Sequence, residues 1–183
     1  MSEIAQRYTR LADRFAATIA AVPTDRWSAP SPCEGWTARD VVRHVVDTQG
    51  LFLGFVGRDL GDVGSVDDDP LGTWEAAAKV VRAELEDPER AAATYEGMFG
   101  IARFEESVDR YLSFDLVIHR WDLARATGVD ERIPPEDLAW ATARAHELGE
   151  QARRQGVFGP ALEPPPGADE QTRLLAFVGR RAW

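Results

Sequence analysis

Asp115-Leu116-Val117-Ile118-His119-Arg120-Trp121-Asp122-Leu123-Ala124 reads as the middle of a long amphipathic helix over roughly 106–127, closed by Gly128. At 3.6 residues per turn, Asp115, His119 and Asp122 fall at i, i+4 and i+7 and stack on one face. Val108, Tyr111, Leu112, Leu123 and Ala126 lie on or beside the same stripe, so that face is also the apolar one, which a helical protein turns inward. Two carboxylates and an imidazole thus stand where a plain bundle carries leucines. Buried without partners they would cost several kcal/mol. A metal ion is the compensation these residue types suggest.

Working outward, the rest of the chain also reads as helix. Ile4, Tyr8, Leu11, Phe15, Ile19 and Val22 recur every three or four residues and predict a first helix over 3–22, ended by Pro23. Residues 23–36 make a connector punctuated by proline and glycine, whose Trp27 and Trp36 are expected to pack across the end of the bundle. Thr37 followed by Asp40 reads as a capped helix start, with Asp in place of the usual Glu or Gln. The second helix runs to about Phe55 on a stripe of Val41, Val45, Leu51, Phe52 and Phe55, with His44 and Thr48 on the same side. Asp47 stands at i+3 from His44, where it could orient the imidazole.

Residues 56–70 form a Gly- and Asp-rich loop. Asp67, Asp68 and Asp69 lack the spacing of a calcium-binding loop and read as a solvated turn leading into the next helix. Thr73 is expected to cap that helix, which Trp74, Ala78, Val81 and Leu85 carry as far as Asp87-Pro88. Residues 88–106 show no clean period; Tyr95, Met98, Phe99, Ile101 and Phe104 suggest an apolar, partly extended crossover, and no strand-period segment of useful length is visible. Pro134 and Pro135 open a last long helix on Leu138, Ala141, Ala145, Leu148 and Ala152. The tail, 157–183, is rich in proline and glycine, is expected to pack over the bundle, and ends in a short helix near 171–178. The expected fold class is all-α, a single domain over 1–183 with 157–183 as its irregular tail.

Composition narrows the function. At 44% hydrophobic and 28% charged residues the chain is of the soluble globular class, and 183 residues suit one domain. A net charge of −10 argues against a nucleic-acid partner and against an anionic membrane surface. No apolar run is long enough to span a bilayer, and the polar N-terminus shows no secretory signal, so the cytoplasm is the expected compartment. The one cysteine, Cys33, rules out an internal disulfide and a Cys-rich zinc site. It reads as a small buried residue; a raised reactivity from the capped helix behind it is the other reading. Of the three histidines, His146 lies off the stripe of its helix as a boundary residue. Arg153-Arg154 and Arg180-Arg181 read as solvated charge.

His44 from one inward face, with Asp115 and His119 from another, make three candidate ligands for one divalent ion. Three protein ligands with an open position describe a catalytic rather than a structural zinc-type site, and bundle cores are a common place for one. Asp122, one turn on, could bind the ion, hold His119 in one tautomer, or act on substrate. By spacing alone, Asp115 and His119 equally suit a plain i,i+4 pair and His44 a satisfied boundary histidine.

Trp27-Ser-Ala-Pro-Ser-Pro-Cys33-Glu-Gly-Trp36-Thr-Ala-Arg-Asp-Val-Val-Arg-His44-Val-Val-Asp47 and Asp115-xxx-His119-Arg-Trp-Asp122-Leu-Ala-Arg-Ala-Thr-Gly128 resemble the DinB-like, mycothiol-dependent maleylpyruvate isomerase N-terminal family. Phe158-Gly-Pro-Ala and Leu174-Leu-Ala-Phe-Val-Gly-Arg180 resemble an actinobacterial subgroup of metal-binding proteins of unknown function. The resemblance implies a four-helix bundle in up-down-down-up order, with an extra short helix here. It implies a divalent metal, zinc or nickel, on His44, Asp115 and His119, and it matches Asp122 to a family aspartate near the thiol or substrate. Two departures stand out. The isomerases carry glutamate where this chain has Asp115, and they have a C-terminal thiol-binding domain for which the 183 residues leave no length.

Three functions follow as expectations. The first is a metal-dependent enzyme using a low-molecular-weight thiol such as mycothiol, an isomerase or S-transferase with Asp122 as its acid–base group. The second is a metal- or small-ligand-binding protein without turnover. The third is a metal-free bundle serving as a cyclase, isomerase or dimerising scaffold. Each takes a small-molecule ligand and needs no nucleic acid or membrane, and a homodimer stays open.

Overall fold

The computed structural model describes residues 1–97 and 100–183. It divides into two compact units, Met1–Asp130 and Glu131–Trp183.

The first unit is built on four helices. Helix α1, Glu3–Ala21, is capped by Ser2, whose hydroxyl accepts from the Ala5 amide, and it buries Tyr8, Leu11, Phe15 and Ile19 as its period requires. Helix α2, Ala38–Phe55, starts at the expected capping box of Thr37 and Asp40. Its inner face differs from the expected stripe. Val41, Val42, Val45, Val46, Gln49 and Leu53 are buried, whereas Leu51 and Phe55 are exposed. Helix α3, Pro70–Glu86, is capped by Asp69 with Pro70 in its first turn, and the expected cap, Thr73, lies buried inside it. The earlier start follows because an aspartate ahead of a proline satisfies the first amides before Thr73 is reached.

Two short helices, α4 (Pro88–Ala91) and α5 (Phe104–Ser107), flank a hairpin of β1 (Thr94–Gly97) and β2 (Gly100–Arg103), in which Tyr95 faces Ala102. The sequence showed no strand period here because each strand is only four residues long. Of the apolar crossover expected in this segment, Met98 and Phe99 lie outside the described residues. The hairpin stands against the end of α2, with the rings of Phe55 and Tyr95 stacked 5.1 Å apart.

From α5 the chain passes through a π-helical turn, Val108–Leu112, into α6, Ser113–Thr127, which ends on Gly128 in the left-handed conformation. Helix α6 is not the one-sided amphipathic helix expected. Phe114, Leu116, Val117, Ile118, Trp121, Leu123 and Ala124 are buried around its whole circumference, the mark of a central helix.

Helix α1 packs on α3 and α6, and α2 packs on the same two. Cross-links give the directions. Arg7 binds Asp109 and Arg120 reaches Thr18, so α1 and α6 run parallel. His44 meets Asp115 and Phe52 meets Tyr111, so α2 and α6 run antiparallel. Arg39 donates to the Val66 carbonyl near the start of α3, and Arg58 pairs with Glu84 near its end, so α2 and α3 run parallel. The order is up-down-down-up. Consecutive parallel helices require the chain to travel back the length of one, about 27 Å for 18 residues, and the Gly- and Asp-rich segment 56–69 makes that return.

The second unit contains α7, Pro135–Arg154, and α8, Glu170–Phe177, where the sequence places a long and a short helix. Helix α7 kinks at Gly149, which has φ 49°. Gln171 ties α8 back, accepting from the Ile133 amide and donating to the Glu131 carbonyl. Among the described residues, no helix is long and apolar enough to cross a membrane.

Candidate metal centre

The capping box sets the position of the first candidate ligand. Thr37 and Asp40 satisfy each other's backbone amides and fix where α2 begins. His44 follows two turns later, on the side that meets α6. Helix α6 supplies Asp115, His119 and Asp122 over two turns.

The side chains converge. His44 Nε2 lies 3.3 Å from Asp115 Oδ2, and His119 Nε2 lies 3.7 Å from Asp115 Oδ1. One ligand atom from each of His44, Asp115 and His119 falls within 4.8 Å of the others. Donors about 2.1 Å from a four-coordinate ion stand about 3.4 Å from one another. The spacing and the donor types, two imidazoles and a carboxylate, therefore fit a divalent cation. Exposure grades across the set: the side chains of His44 and Asp115 are 35% and 25% exposed, that of His119 8%.

Asp122 is 0% exposed. Its Oδ2 stands 3.0 Å from His119 Nδ1. A carboxylate there keeps the proton on Nδ1 and leaves Nε2 directed at Asp115, the arrangement in which a buried acid orients a ligating histidine. Burial disfavours charge on His119, but Asp115, Asp122 and Cys33 outweigh it, and the imidazole is held up to about 10 from an ordinary 6.5. Surroundings that hold a proton this firmly have an excess of negative charge, which a cation can neutralise in the proton's place.

Two residues expected to be structural sit at the site. Trp36 does not merely cover the end of the bundle: its ring lies 4.8 Å from that of His44 and 6.0 Å from that of His119. Cys33, half-buried rather than buried, places Sγ 3.3 Å from Asp122 Oδ2. Both belong to a tight loop. Pro30 bridges to Thr37, the Ser31 amide donates to the Trp36 carbonyl, and the Trp36 amide donates to the Cys33 carbonyl. No local period signals this loop's place at the site, because that depends on how the chain before Thr37 closes over α2. Asp47, placed by spacing to orient His44, is exposed; His44 meets Asp115 instead. In the second unit, His146 is exposed with its ring 4.8 Å from that of Phe177, and Arg153 donates to the Gly159 and Phe177 carbonyls.

Comparison with known proteins agrees with the motifs. Residues 8–150 match the model of the mycothiol maleylpyruvate isomerase N-terminal domain. Uncharacterized proteins from two strains of Mycobacterium tuberculosis are each 29% identical over 175 residues, covering 94% of this chain and 95% of theirs. No solved structure matches.

Proposed function

The chain belongs to the mycothiol maleylpyruvate isomerase N-terminal domain family, and on that premise we propose that it is a cytoplasmic, divalent-metal-dependent enzyme that uses a low-molecular-weight thiol of the mycothiol type on a small-molecule electrophile. The observation that supports this reading is the convergence of His44, Asp115 and His119 from two helices, with Asp122 behind His119. Those three residues would hold the ion, and their mixed nitrogen and oxygen donors suit zinc or nickel. Bound there, it supplies a positive charge that lowers the pKa of a thiol beside it.

The remaining work falls to side chains. His44 and Asp115, the more exposed pair, line the side from which a small molecule arrives. Asp122 holds the Nδ1 proton of His119 and so fixes which nitrogen faces the site. Trp36 covers the imidazoles on one side and excludes water there. Asp115 is one methylene shorter than the glutamate of the isomerases, which draws the donor oxygen toward α6.

A second reading, a metal-binding protein without turnover, draws support from Asp122. Its carboxylate is fully buried against His119 and Cys33, where an acid–base group serving a substrate would need access. The experiment that separates the readings has two stages. Metal content is measured by mass spectrometry after purification without chelator, for the wild type and His44→Ala. Stoichiometric metal in the wild type and a loss of most of it in the variant are expected; a metal-free wild type would leave only the acid–base scaffold. The loaded protein is then given mycothiol and an activated alkene. Consumption of the alkene that His44→Ala abolishes identifies the enzyme, and its absence identifies the binding protein.

A further inference from the structure

We propose that Cys33 is a positioning residue of the metal centre, acting on His119 through Asp122, so that its thiol and a bound divalent ion are coupled. The inference rests on the metal reading above and adds to it a residue of the connecting loop. Asp122 Oδ2 is shared: His119 Nδ1 lies 3.0 Å from it and Cys33 Sγ 3.3 Å. Atoms of Cys33, His119 and Asp122 fall within 4.8 Å of one another, as do those of the His44, Asp115 and His119 set, and His119 belongs to both. Its two ring nitrogens divide the work, Nε2 facing Asp115 and Nδ1 facing Asp122.

The loop is built to hold the thiol in place. The Cys33 amide donates to Ser31 Oγ, which donates in turn to the Cys33 carbonyl, and the Pro30–Thr37 bridge closes the loop at its base. The same loop lays Trp36 on His44 and His119. A change at Cys33 thus reaches the candidate ligands by a hydrogen bond to Asp122 and by the seat of the Trp36 ring. A buried acid that orients a ligating histidine changes metal affinity about 10- to 100-fold. The thiol stands one bond further out and acts more weakly. Coupling between two sites is reciprocal. If losing the thiol hydrogen bond weakens metal binding, metal binding must stabilise the unmodified thiol by the same factor.

Cys33 is the one cysteine in the chain, so any thiol reagent reports on it alone. Zn²⁺ affinity is measured by chelator competition for the wild type, Cys33→Ala and Cys33→Ser. Cys33→Ala is expected to bind Zn²⁺ about threefold to tenfold more weakly, and Cys33→Ser, which keeps a donor, to recover to within about twofold, given the outer-shell range above. In parallel, the wild type is labelled with a chromogenic aromatic disulfide, with and without Zn²⁺. In that reaction the Cys33 sulfur attacks the reagent's S–S bond, forms a mixed disulfide, and releases one aryl thiolate, with the thiol proton passing to solvent. Zn²⁺ should slow labelling several-fold, and the labelled protein should bind Zn²⁺ more weakly. Equal Zn²⁺ affinity in all three proteins, with a labelling rate indifferent to Zn²⁺, overturns the proposal and leaves the metal reading standing. A wild type that binds no Zn²⁺ overturns both. Should Cys33→Ala fail to fold, the labelling of the wild type still decides the matter.

Discussion

Asp122 takes hydrogen bonds at one oxygen from His119 Nδ1 and Cys33 Sγ, and it does so with no exposed surface. It meets neighbouring side chains rather than solvent. Asp122→Asn, which keeps the shape and can turn an amide donor toward Nδ1, should weaken Zn²⁺ binding by about 10- to 100-fold in a chelator competition. The charge around His119 makes a second prediction, for the metal-free protein. Its folded-state value of about 10 lies above the ordinary 6.5, so the protonated imidazole contributes stability that is fully present below pH 6.5 and is lost as pH rises through 10. Urea unfolding of chelator-stripped wild type and His119→Gln should show the wild type's advantage at the lower pH and its disappearance at the upper. An advantage that did not change across that interval would count against the geometry described. Tyr8 shows the same logic in the core. Its hydroxyl donates to Gln49 Oε1 at 2.7 Å where both residues are buried. Tyr8→Phe leaves that acceptor without its partner and should cost about 1–3 kcal/mol in the same assay.

At the scale of elements, helix starts set by local chemistry are legible and those set by competition are less so. The Thr37–Asp40 box is written in four residues and forms as read. Thr37→Ala should cost about 1 kcal/mol, the usual loss of an N-cap, measured by denaturant unfolding. Helix α3 is capped at Asp69 and not at Thr73 because both are adequate caps and Pro70 decides between them. Leu51 and Phe55 keep to the period of α2 and are still exposed, because a period says which residues share a face, not which length of that face is covered. In the second unit a single close approach carries a segment. Gly179 has φ 86°, and a Cβ there would lie 2.8 Å from the Gly159 backbone. Gly179→Ala should therefore lower the unfolding temperature of that unit by several degrees in calorimetry, since it adds both backbone strain and a clash.

For the molecule as a whole, ligands that bind only the folded state raise its stability, by about 2.7 kcal/mol at a hundred times the dissociation constant. Zn²⁺ should therefore raise the unfolding temperature of the wild type in calorimetry, chelator should reverse the rise, and His44→Ala should show neither. What the amino-acid order determined unaided was what depends on neighbours a turn or two away. It set the helical period of α1, the capped start of α2, the stop at Gly128, and the stacking of Asp115, His119 and Asp122 on one side of α6. The motifs around His44 and Asp115 also carried the family and the pairing of those residues across two helices. The remaining contacts of the site came only from tertiary structure. Tertiary structure set Asp122 against His119 Nδ1, brought Cys33 and Trp36 to the site, and turned Asp47 out to solvent. The physical reason is range. Helical spacing fixes a side chain's direction on its own helix, whereas contact between residues 33 and 122 depends on how a loop closes and how two helices pack, and neither distance is encoded in any local period.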